Sequence, residues 1–341
     1  RVRIERINQM MCDYHHQGYL EPLGDALVLL ERTTEKNQVR LGLMVAVDLE
    51  AYDYKEGSKP LIRATEHTII ERIPPRLNIR RDAPLEFSHV MLLVDDDEAK
   101  IIENLYANRD TYEKIYDFEL NMNGGHIRGY KIDHVTSVID QLMSLIKGET
   151  DPVLFIAGDG NHSLATAKAH WENLKMELSE DELHDHPARY ALVELVDIYD
   201  KGLEFEGIHR VLFPVDDHFL DQLQHAISPE KQTWVYVEGV GKKKLMIPNN
   251  DAVAYEQIQA FLDQYLQMHP KTKIDYIHGD NDLIEVCDAH PNAIGILMPT
   301  IERKEMFEYI RTGKVLPRKS FSMGCATAKR YYLESRFIKK Y

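Results

Sequence analysis

Four side chains that could take part in binding or catalysis lie close together in the sequence, where an apolar run meets a helical pattern. They are Asp159, Asn161, His162 and Ser163, in the segment VLFIAGDGNHSLATAKAHWENL. A helix start offers free N–H groups and the positive end of a dipole, and glycine lets a ligand approach the backbone. We therefore predict that Gly160, Asn161, His162 and Ser163 bind phosphate. Asp159 is predicted to be catalytic, by holding a metal ion or accepting a proton from a hydroxyl.

The same turn also has a purely structural interpretation. Asp159 or Asn161 caps the helix, while Gly158 and Gly160 form the turn. The spacing alone leaves both interpretations open. A P-loop is excluded because GKS and GKT are absent, and a dinucleotide fingerprint is excluded because the GxGxxG spacing fails.

A second group of charged residues lies in RATEHTIIERIPPRLNIRR, upstream of the glycine turn. We predict that Arg63 binds phosphate and that Glu66 is catalytic, as a base or a metal ligand. The alternative is a solvated loop with ordinary ion pairs, because runs of charge usually lie on wet surface.

Two short segments further along the chain supply further candidates for phosphate binding. GIHRVLF contains His209 and Arg210, which are predicted to lie where a strand ends, and LPRKS contains Arg318 and Lys319. The alternative for the first segment is a partly buried histidine whose ring nitrogens form hydrogen bonds within the protein. A surface turn is the alternative for the second.

Composition excludes some classes of function. The 341 residues carry a net charge of −15, which argues against general binding to nucleic acid or to an anionic membrane. No apolar run is long enough to span a bilayer. The three cysteines are far apart, so we expect free thiols, a cytoplasmic location and no zinc site. The paired histidines lack metal-binding spacings, and no dedicated metal site is predicted.

Helical and strand-like patterns alternate along most of the chain. This alternation predicts an α/β or α+β fold with a mixed β-sheet flanked by helices. Two parts are expected: a core domain at 1–214 that carries RATEHT and GDGNHS, and a second α/β part at 215–341 that packs back on the core. The sequence predicts strands at Ala26–Glu31, Leu41–Leu49 and Tyr190–Asp197, a hairpin around Asn123-Gly124-Gly125, and a helix capped by Asp133.

The segment GDGNHSLATAKAHWE resembles the signature of the bacterial domain of unknown function 1015 family, many of whose members read DGHHR here. The segments LGLMVAVDLEAYDY, RATEHTIIERIPPRLNIR, APLEFSHVMLLVDD, FEGIHRVLF and GKVLPRKSFSMG match as well. Because these segments are scattered from Leu41 to Gly324, the resemblance covers nearly the whole chain. The family is uncharacterised, so the resemblance by itself implies no activity.

The DGHHR-type turn is also similar, more weakly, to that of the ParB/sulfiredoxin-like group, which includes free serine kinases and CTP-binding partition proteins. This likeness implies a ParB/sulfiredoxin-like core in which the helix start binds phosphates and the acid positions or deprotonates a hydroxyl. Asp159 then takes the catalytic role. Asn161 stands where the first histidine of DGHHR stands, and Ser163 replaces its arginine, a bidentate phosphate donor.

Together these observations predict an enzyme that binds a small phosphorylated ligand and transfers a phosphoryl group to a small hydroxy compound. The expected cofactors are Mg²⁺ and a nucleotide, ATP or ADP. A non-catalytic module that senses a nucleotide or metabolite is one alternative. A metal-dependent hydrolase, with Asp159 and His162 as ligands, is another. Nucleic acid and membranes are not expected as partners.

Overall fold

The computed structural model describes residues 2–34, 36–324, 326–331 and 333–340. The chain divides into two compact units. Unit 1 contains Arg1–Leu203 and Cys325–Tyr341, and unit 2 contains Glu204–Gly324. The sequence-based division at residue 214 stays a prediction of domain organisation. Among the described residues, Cys12 and Cys287 form no disulfide with each other, and Cys325 lies outside the described residues.

The helices occur in both units. Their bounds are α1 (Val2–His16), α2 (Ile73–Arg80), α3 (Ile102–Ala107), α4 (Val135–Ser144), α5 (Asn161–Lys175), α6 (Glu180–Asp185), α7 (Phe219–Ala226), α8 (Asp251–Met268), α9 (Asp280–Asp288) and α10 (Arg303–Arg311). Among these described helices, none combines the length and hydropathy that crossing a bilayer requires.

The strands of unit 1 are β1 (Leu27–Thr33), β2 (Val39–Asp48), β3 (Tyr52–Asp53), β4 (Ile62–Arg63), β5 (Leu85–Phe87), β6 (Met91–Val94), β7 (Glu113–Glu119), β8 (His126–Ile132), β9 (Phe155–Asp159) and β10 (Tyr190–Asp197). Those of unit 2 are β11 (Phe205–Gly207), β12 (His209–Phe213), β13 (Lys231–Val237), β14 (Gly241–Ile247), β15 (Lys273–Ile277), β16 (Ile294–Ile296) and β17 (Phe321–Met323). The chain returns to unit 1 with β18 (Ser335–Phe337).

Unit 1 is built on a nine-stranded sheet in the order β3-β4-β9-β6-β10-β2-β1-β8-β7. The pairs β3–β4, β4–β9 and β6–β10 are parallel, and the others are antiparallel. The predicted mixed sheet with flanking helices is therefore confirmed. Central strands are apolar because both faces are covered, so Leu92, Ile156 and Val193 are fully buried.

The part of unit 1 that follows unit 2, Cys325–Tyr341, is the C-terminal return. Its strand β18 pairs with β5 in antiparallel register and so forms a second, two-stranded sheet. Unit 2 contains a five-stranded antiparallel sheet in the order β14-β13-β16-β12-β15 and a two-stranded pair, β11 and β17.

Two local predictions were wrong. His209 and Arg210 begin β12 instead of ending a strand. Asp133 does not cap α4, whose N-cap is His134. The alternative of a solvated loop does not hold around Arg76, because this segment forms α2, with prolines in its first turn, where their missing N–H groups cost nothing.

Candidate functional site

Asp159 is the last residue of β9 and stands directly before α5. Its Oδ1 atom accepts a hydrogen bond from the amide of Gly160 at 2.8 Å. Its Oδ2 atom forms an ion pair with Nζ of Lys329 at 2.9 Å. The carboxylate is half-buried and Lys329 is exposed, so solvent can reach the pair. A bulge in the register of β6 against β9, at Met91, falls beside this residue.

Gly160 connects β9 to α5 in the left-handed region, with φ at 84°. A Cβ atom here would lie 3.0 Å from Cα of Val90, so the position requires glycine. Gly160 is also the N-cap of α5, and no side chain caps the helix. The alternative in which Asp159 or Asn161 caps the helix is therefore not what the structure contains.

The first turn of α5 has two open amides. The amides of Ser163 and Leu164 donate to the carbonyl of Gly160 at 2.9 and 3.0 Å. Among the described residues, the amides of Asn161 and His162 have no acceptor. Because α5 is 15 residues long, its dipole adds to the attraction of these amides for an anion.

Asn161 carries a buried oxygen that has no hydrogen-bond partner among the described residues. Its Nδ2 atom donates to Oγ1 of Thr65 at 3.4 Å. Thr65 uses its only proton to donate to the carbonyl of Ala157 at 2.6 Å, so Thr65 must be the acceptor from Asn161. This assignment leaves Oδ1 of Asn161 buried, and no donor in the described part of the chain reaches it. The site therefore offers an acceptor that a ligand hydroxyl or a water molecule would satisfy.

His162 is already engaged. Its Nε2 atom accepts a hydrogen bond from the amide of Ile69 at 3.1 Å. Burial lowers the pKa of His162, and the positive charges of Arg72 and Arg76 lower it further. The ring is thus neutral at pH 7, and it holds the RATEHT region against the start of α5.

Ser163 forms a hydrogen bond that the sequence does not reveal. Its Oγ atom lies 3.1 Å from Nε2 of His89. Burial lowers the pKa of His89; Asp159 opposes this shift, and Lys329 adds to it. His89 was missed because nothing in the sequence indicates that the strand following it, β6, pairs with β9.

The structure brings part of RATEHT to the glycine turn. Thr65 and Ile69 bond to Asn161 and His162, and Glu66, half-buried, lies between them in the chain. Arg63 is not brought there. Its guanidinium bonds to Asp151 at 2.8 Å and to the carbonyl of Pro60 at 2.9 Å. Asp151 precedes β9 whereas Asp159 ends it, so Arg63 serves the opposite end of that strand.

Two buried arginines hold the backbone that carries Lys329. Arg32 donates to the carbonyls of Thr327, Ala328 and Lys329. Arg40 donates to the carbonyl of Ala328 at 2.6 Å. Burial lowers the pKa of Arg32 to about 10, and the charge of Arg40 contributes. The sequence analysis missed both arginines, because they lie in strands whose sequences contain no recognisable binding motif.

In unit 2 the structure brings Arg210 together with the turn that carries Arg318 and Lys319. Arg210 is fully buried, and it donates to the carbonyl of Lys319 at 2.8 Å and of Arg318 at 3.3 Å. The guanidinium carbon of Arg318 lies 5.7 Å from the ring centre of Tyr276. Arg318 and Lys319 are exposed, and Lys319 has φ at 61°. Arg210 therefore shapes this basic turn.

His209 has both ring nitrogens engaged. Its Nδ1 atom accepts from the amide of Met298 at 3.1 Å, and its Nε2 atom lies 3.1 Å from Oδ1 of Asp280. Burial lowers the pKa of His209, and Asp280 opposes the shift. This arrangement matches the satisfied, partly buried histidine of the structural alternative.

No group of three or more His, Cys, Asp or Glu side chains is placed to hold a metal ion among the residues that the structure describes.

Comparisons with solved structures give several matches over most of the chain. Free serine kinase in complex with AMP is 10% identical, with 93% of this chain and 96% of that chain covered and a TM-score of 0.45. SbnI with a C-terminal truncation, from Staphylococcus aureus, is 9% identical, with 85% of each chain covered and a TM-score of 0.44. A conserved hypothetical protein from Pyrococcus furiosus is 11% identical, with 87% of this chain and 95% of that chain covered and a TM-score of 0.42.

No protein with a curated function matches the sequence. The model of the family DUF1015, described as protein of unknown function, matches residues 1–267. This match includes the glycine turn and all the described site residues of unit 1 except those of the C-terminal return. The chain belongs to the DUF1015 family.

Proposed function

We propose that unit 1 binds a nucleotide or another phosphorylated ligand at the start of α5 and transfers a phosphoryl group from it to a small hydroxy compound. The observation that carries this proposal is the pair of open amides at Asn161 and His162, next to the carboxylate of Asp159. Hydrogen-bond donors for an anion and a carboxylate that can accept a proton thus lie within the four consecutive residues from Asp159 to His162.

The donor side of the site fits phosphate. Amides at a helix start donate to phosphate oxygens without needing a charged side chain. Lys329 adds a positive charge close to the same point, through its contact with Asp159. These groups stand in for the arginine that DGHHR supplies and that Ser163 replaces in this chain.

The acceptor side fits a hydroxyl. The unpaired Oδ1 atom of Asn161 is an acceptor that a substrate hydroxyl would satisfy. Asp159 is the nearby base that would take the proton of that hydroxyl during transfer. Glu66, in the segment that Asn161 and His162 contact, is the second candidate for this role.

Mg²⁺ with ATP or ADP fits these residues. Magnesium in phosphoryl-transfer sites is bound by one or two carboxylates together with the substrate phosphates, and Asp159 and Glu66 would supply the carboxylates. When bound, the ion neutralises charge on the phosphates.

Arg318 and Lys319 are the phosphate ligands that we propose in unit 2, because both are exposed on the turn that Arg210 holds. His209 and Arg63 would have to give up Asp280 and Asp151 before contacting phosphate. Their proposed contribution is therefore weaker than that of the two turn residues.

The test is a thermal-shift and calorimetric titration of the full chain with ATP, ADP, AMP and inorganic phosphate, with and without Mg²⁺. Turnover is then measured with serine and related hydroxy compounds. Asp159→Asn should keep ligand binding and lose turnover by at least about 100-fold. Asp151→Asn, which changes a carboxylate at the other end of β9, is the control. Unchanged turnover in Asp159→Asn contradicts the proposed role.

A non-catalytic sensing module is the second candidate. The observation in its favour is the Lys329–Asp159 ion pair, which occupies the proposed base. This candidate predicts a ligand-induced rise in melting temperature with no product over hours, and with equal ligand affinity in the wild type and Asp159→Asn.

A further inference from the structure

We propose that Ser163 is a nucleophile that receives a phosphoryl group covalently, with His89 as its general base. This inference deepens the proposed phosphoryl-transfer function and rests on it for the identity of the donor. The observation is the 3.1 Å contact between Oγ of Ser163 and Nε2 of His89, which is the geometry of a serine and its activating base.

The backbone fixes this pair from two neighbouring elements. Ser163 is the third residue of α5, which follows β9, and His89 stands two residues before β6. β6 and β9 are antiparallel neighbours in the sheet, with Met91 opposite Asp159. The pairing of the two strands thus brings the start of α5 and the segment before β6 together, and both side chains are half-buried, so that a ligand can reach them.

The electrostatic surroundings keep His89 in its basic form. Burial lowers its pKa below the ordinary value, and the positive charges of Lys329, Arg76 and Arg330 lower it further, against the opposing effect of Asp159. In the neutral ring with the proton on Nδ1, Nε2 accepts the hydroxyl hydrogen of Ser163.

The transfer step balances with a nucleoside triphosphate as donor. Oγ of Ser163 attacks the terminal phosphorus and forms the Oγ–P bond. The bond from that phosphorus to its bridging oxygen breaks, and the electron pair leaves with the nucleoside diphosphate. The proton of Ser163 passes to Nε2 of His89. A hydroxy compound then takes the phosphoryl group from Ser163, and its own proton passes to a base at the site.

The product of the first step suits its surroundings. Phosphoserine in the first turn of a helix is stabilised by the dipole and by nearby amides. The open amides of Asn161 and His162 lie in that same turn, and Lys329 is paired with Asp159 close by. Ser320, by comparison, is fully buried and donates to the carbonyl of Pro317, so it is not available as a nucleophile.

The test uses a fluorophosphonate probe on the full chain, because this electrophile needs no nucleotide. Attack forms the Oγ–P bond and expels fluoride. Peptide mass spectrometry should locate one label at Ser163 in the wild type and in Ser144→Ala, a control on the exposed face of α4. Ser163→Ala should lose that label. His89→Gln, which can keep a hydrogen bond but cannot take a proton, should label at least about 10-fold more slowly.

A pH profile separates a base from a structural partner. The labelling rate of the wild type should rise as His89 loses its proton, at a pH below the ordinary range of histidine, and then level off. His89→Gln should lack this rise while melting within about 2 °C of the wild type. No label at Ser163 in the wild type, or equal rates in His89→Gln, overturns the inference. Nucleotide titration of the same samples reports separately on the proposed function.

Discussion

Nζ of Lys329 lies 2.9 Å from Oδ2 of Asp159, although 170 positions separate the two residues in the chain. The lysine comes from the C-terminal return to unit 1, and the aspartate comes from the strand that leads into the glycine turn. The ion pair therefore links the proposed site to a segment of unit 1 that is synthesised after the whole of unit 2. We expect the strength of this pair to decide whether Asp159 can act as the proposed base.

Lys329→Ala should weaken phosphate and nucleotide binding by about 10-fold, because it removes a positive charge beside the open amides of α5. The free energy of unfolding should change by less than about 1 kcal/mol, since the pair is exposed to solvent. Calorimetric titration and urea denaturation give the two quantities. Lys59→Ala is the matched control, because Lys59 forms a similar exposed pair with Asp151. Equal ligand affinity in the two variants contradicts a role for Lys329.

Gly160→Ala should lower the free energy of unfolding by about 2–3 kcal/mol and weaken phosphate binding. The new Cβ atom combines a left-handed backbone with a 3.0 Å approach to Val90. Gly148→Ala isolates the backbone effect, because Gly148 has φ at 86° and open space around its Cα, and it should cost about 1 kcal/mol. Equal losses in urea denaturation would show that the approach to Val90 can relax.

Asn161→Ala should change the free energy of unfolding by less than about 1 kcal/mol. The variant loses one long hydrogen bond to Thr65 but also removes a buried oxygen that lacks a donor. Turnover of the hydroxy compound should fall at least about 10-fold. Thr65→Val provides the contrast, since it leaves the carbonyl of Ala157 without its donor and should cost about 1–3 kcal/mol. A larger stability loss in Asn161→Ala than in Thr65→Val contradicts this account.

Asp197 should make the stability of unit 1 depend on pH. It ends β10 and is 2% exposed. Burial raises its pKa to about 7, with the nearby Glu103 and Asp96 contributing. Between the unfolded pKa near 4 and pH 7, the folded state therefore binds more protons than the unfolded state. The free energy of unfolding should fall as the pH rises across this window, by on the order of 2 kcal/mol.

Asp197→Asn should flatten that part of the profile, because asparagine does not titrate. Urea denaturation at intervals from pH 4 to 8 measures the slope. Asp110→Asn, at an exposed position, should leave the profile as in the wild type. If the slope persists in Asp197→Asn, another buried carboxyl is responsible.

The sequence predicts the elements of the site better than its contacts. The apolar run into β9, the turn at Gly160 and the helix α5 all follow from local patterns, and β10 occupies the predicted Tyr190–Asp197. Short strands such as β4, with two residues, carry too little periodicity to be recognised.

The partners of the site residues depend on sheet order, which local patterns do not contain. His89 reaches Ser163 only because β6 lies beside β9, and Lys329 reaches Asp159 only because the chain returns to unit 1. Arg63 shows the converse: its position in RATEHT suggests a phosphate ligand, whereas the strand it occupies directs its guanidinium to Asp151.

The return of the chain to unit 1 has a consequence during synthesis. A ribosome releases residues 2–203 long before residues 326–331, and the whole of unit 2 emerges in between. Until then the guanidinium groups of Arg32 and Arg40 lack the carbonyls that they bind in the finished protein. A nascent chain, or one cut short before residue 325, would therefore hold an incomplete first unit, and the proposed site could assemble only after residues 326–331 have been synthesised.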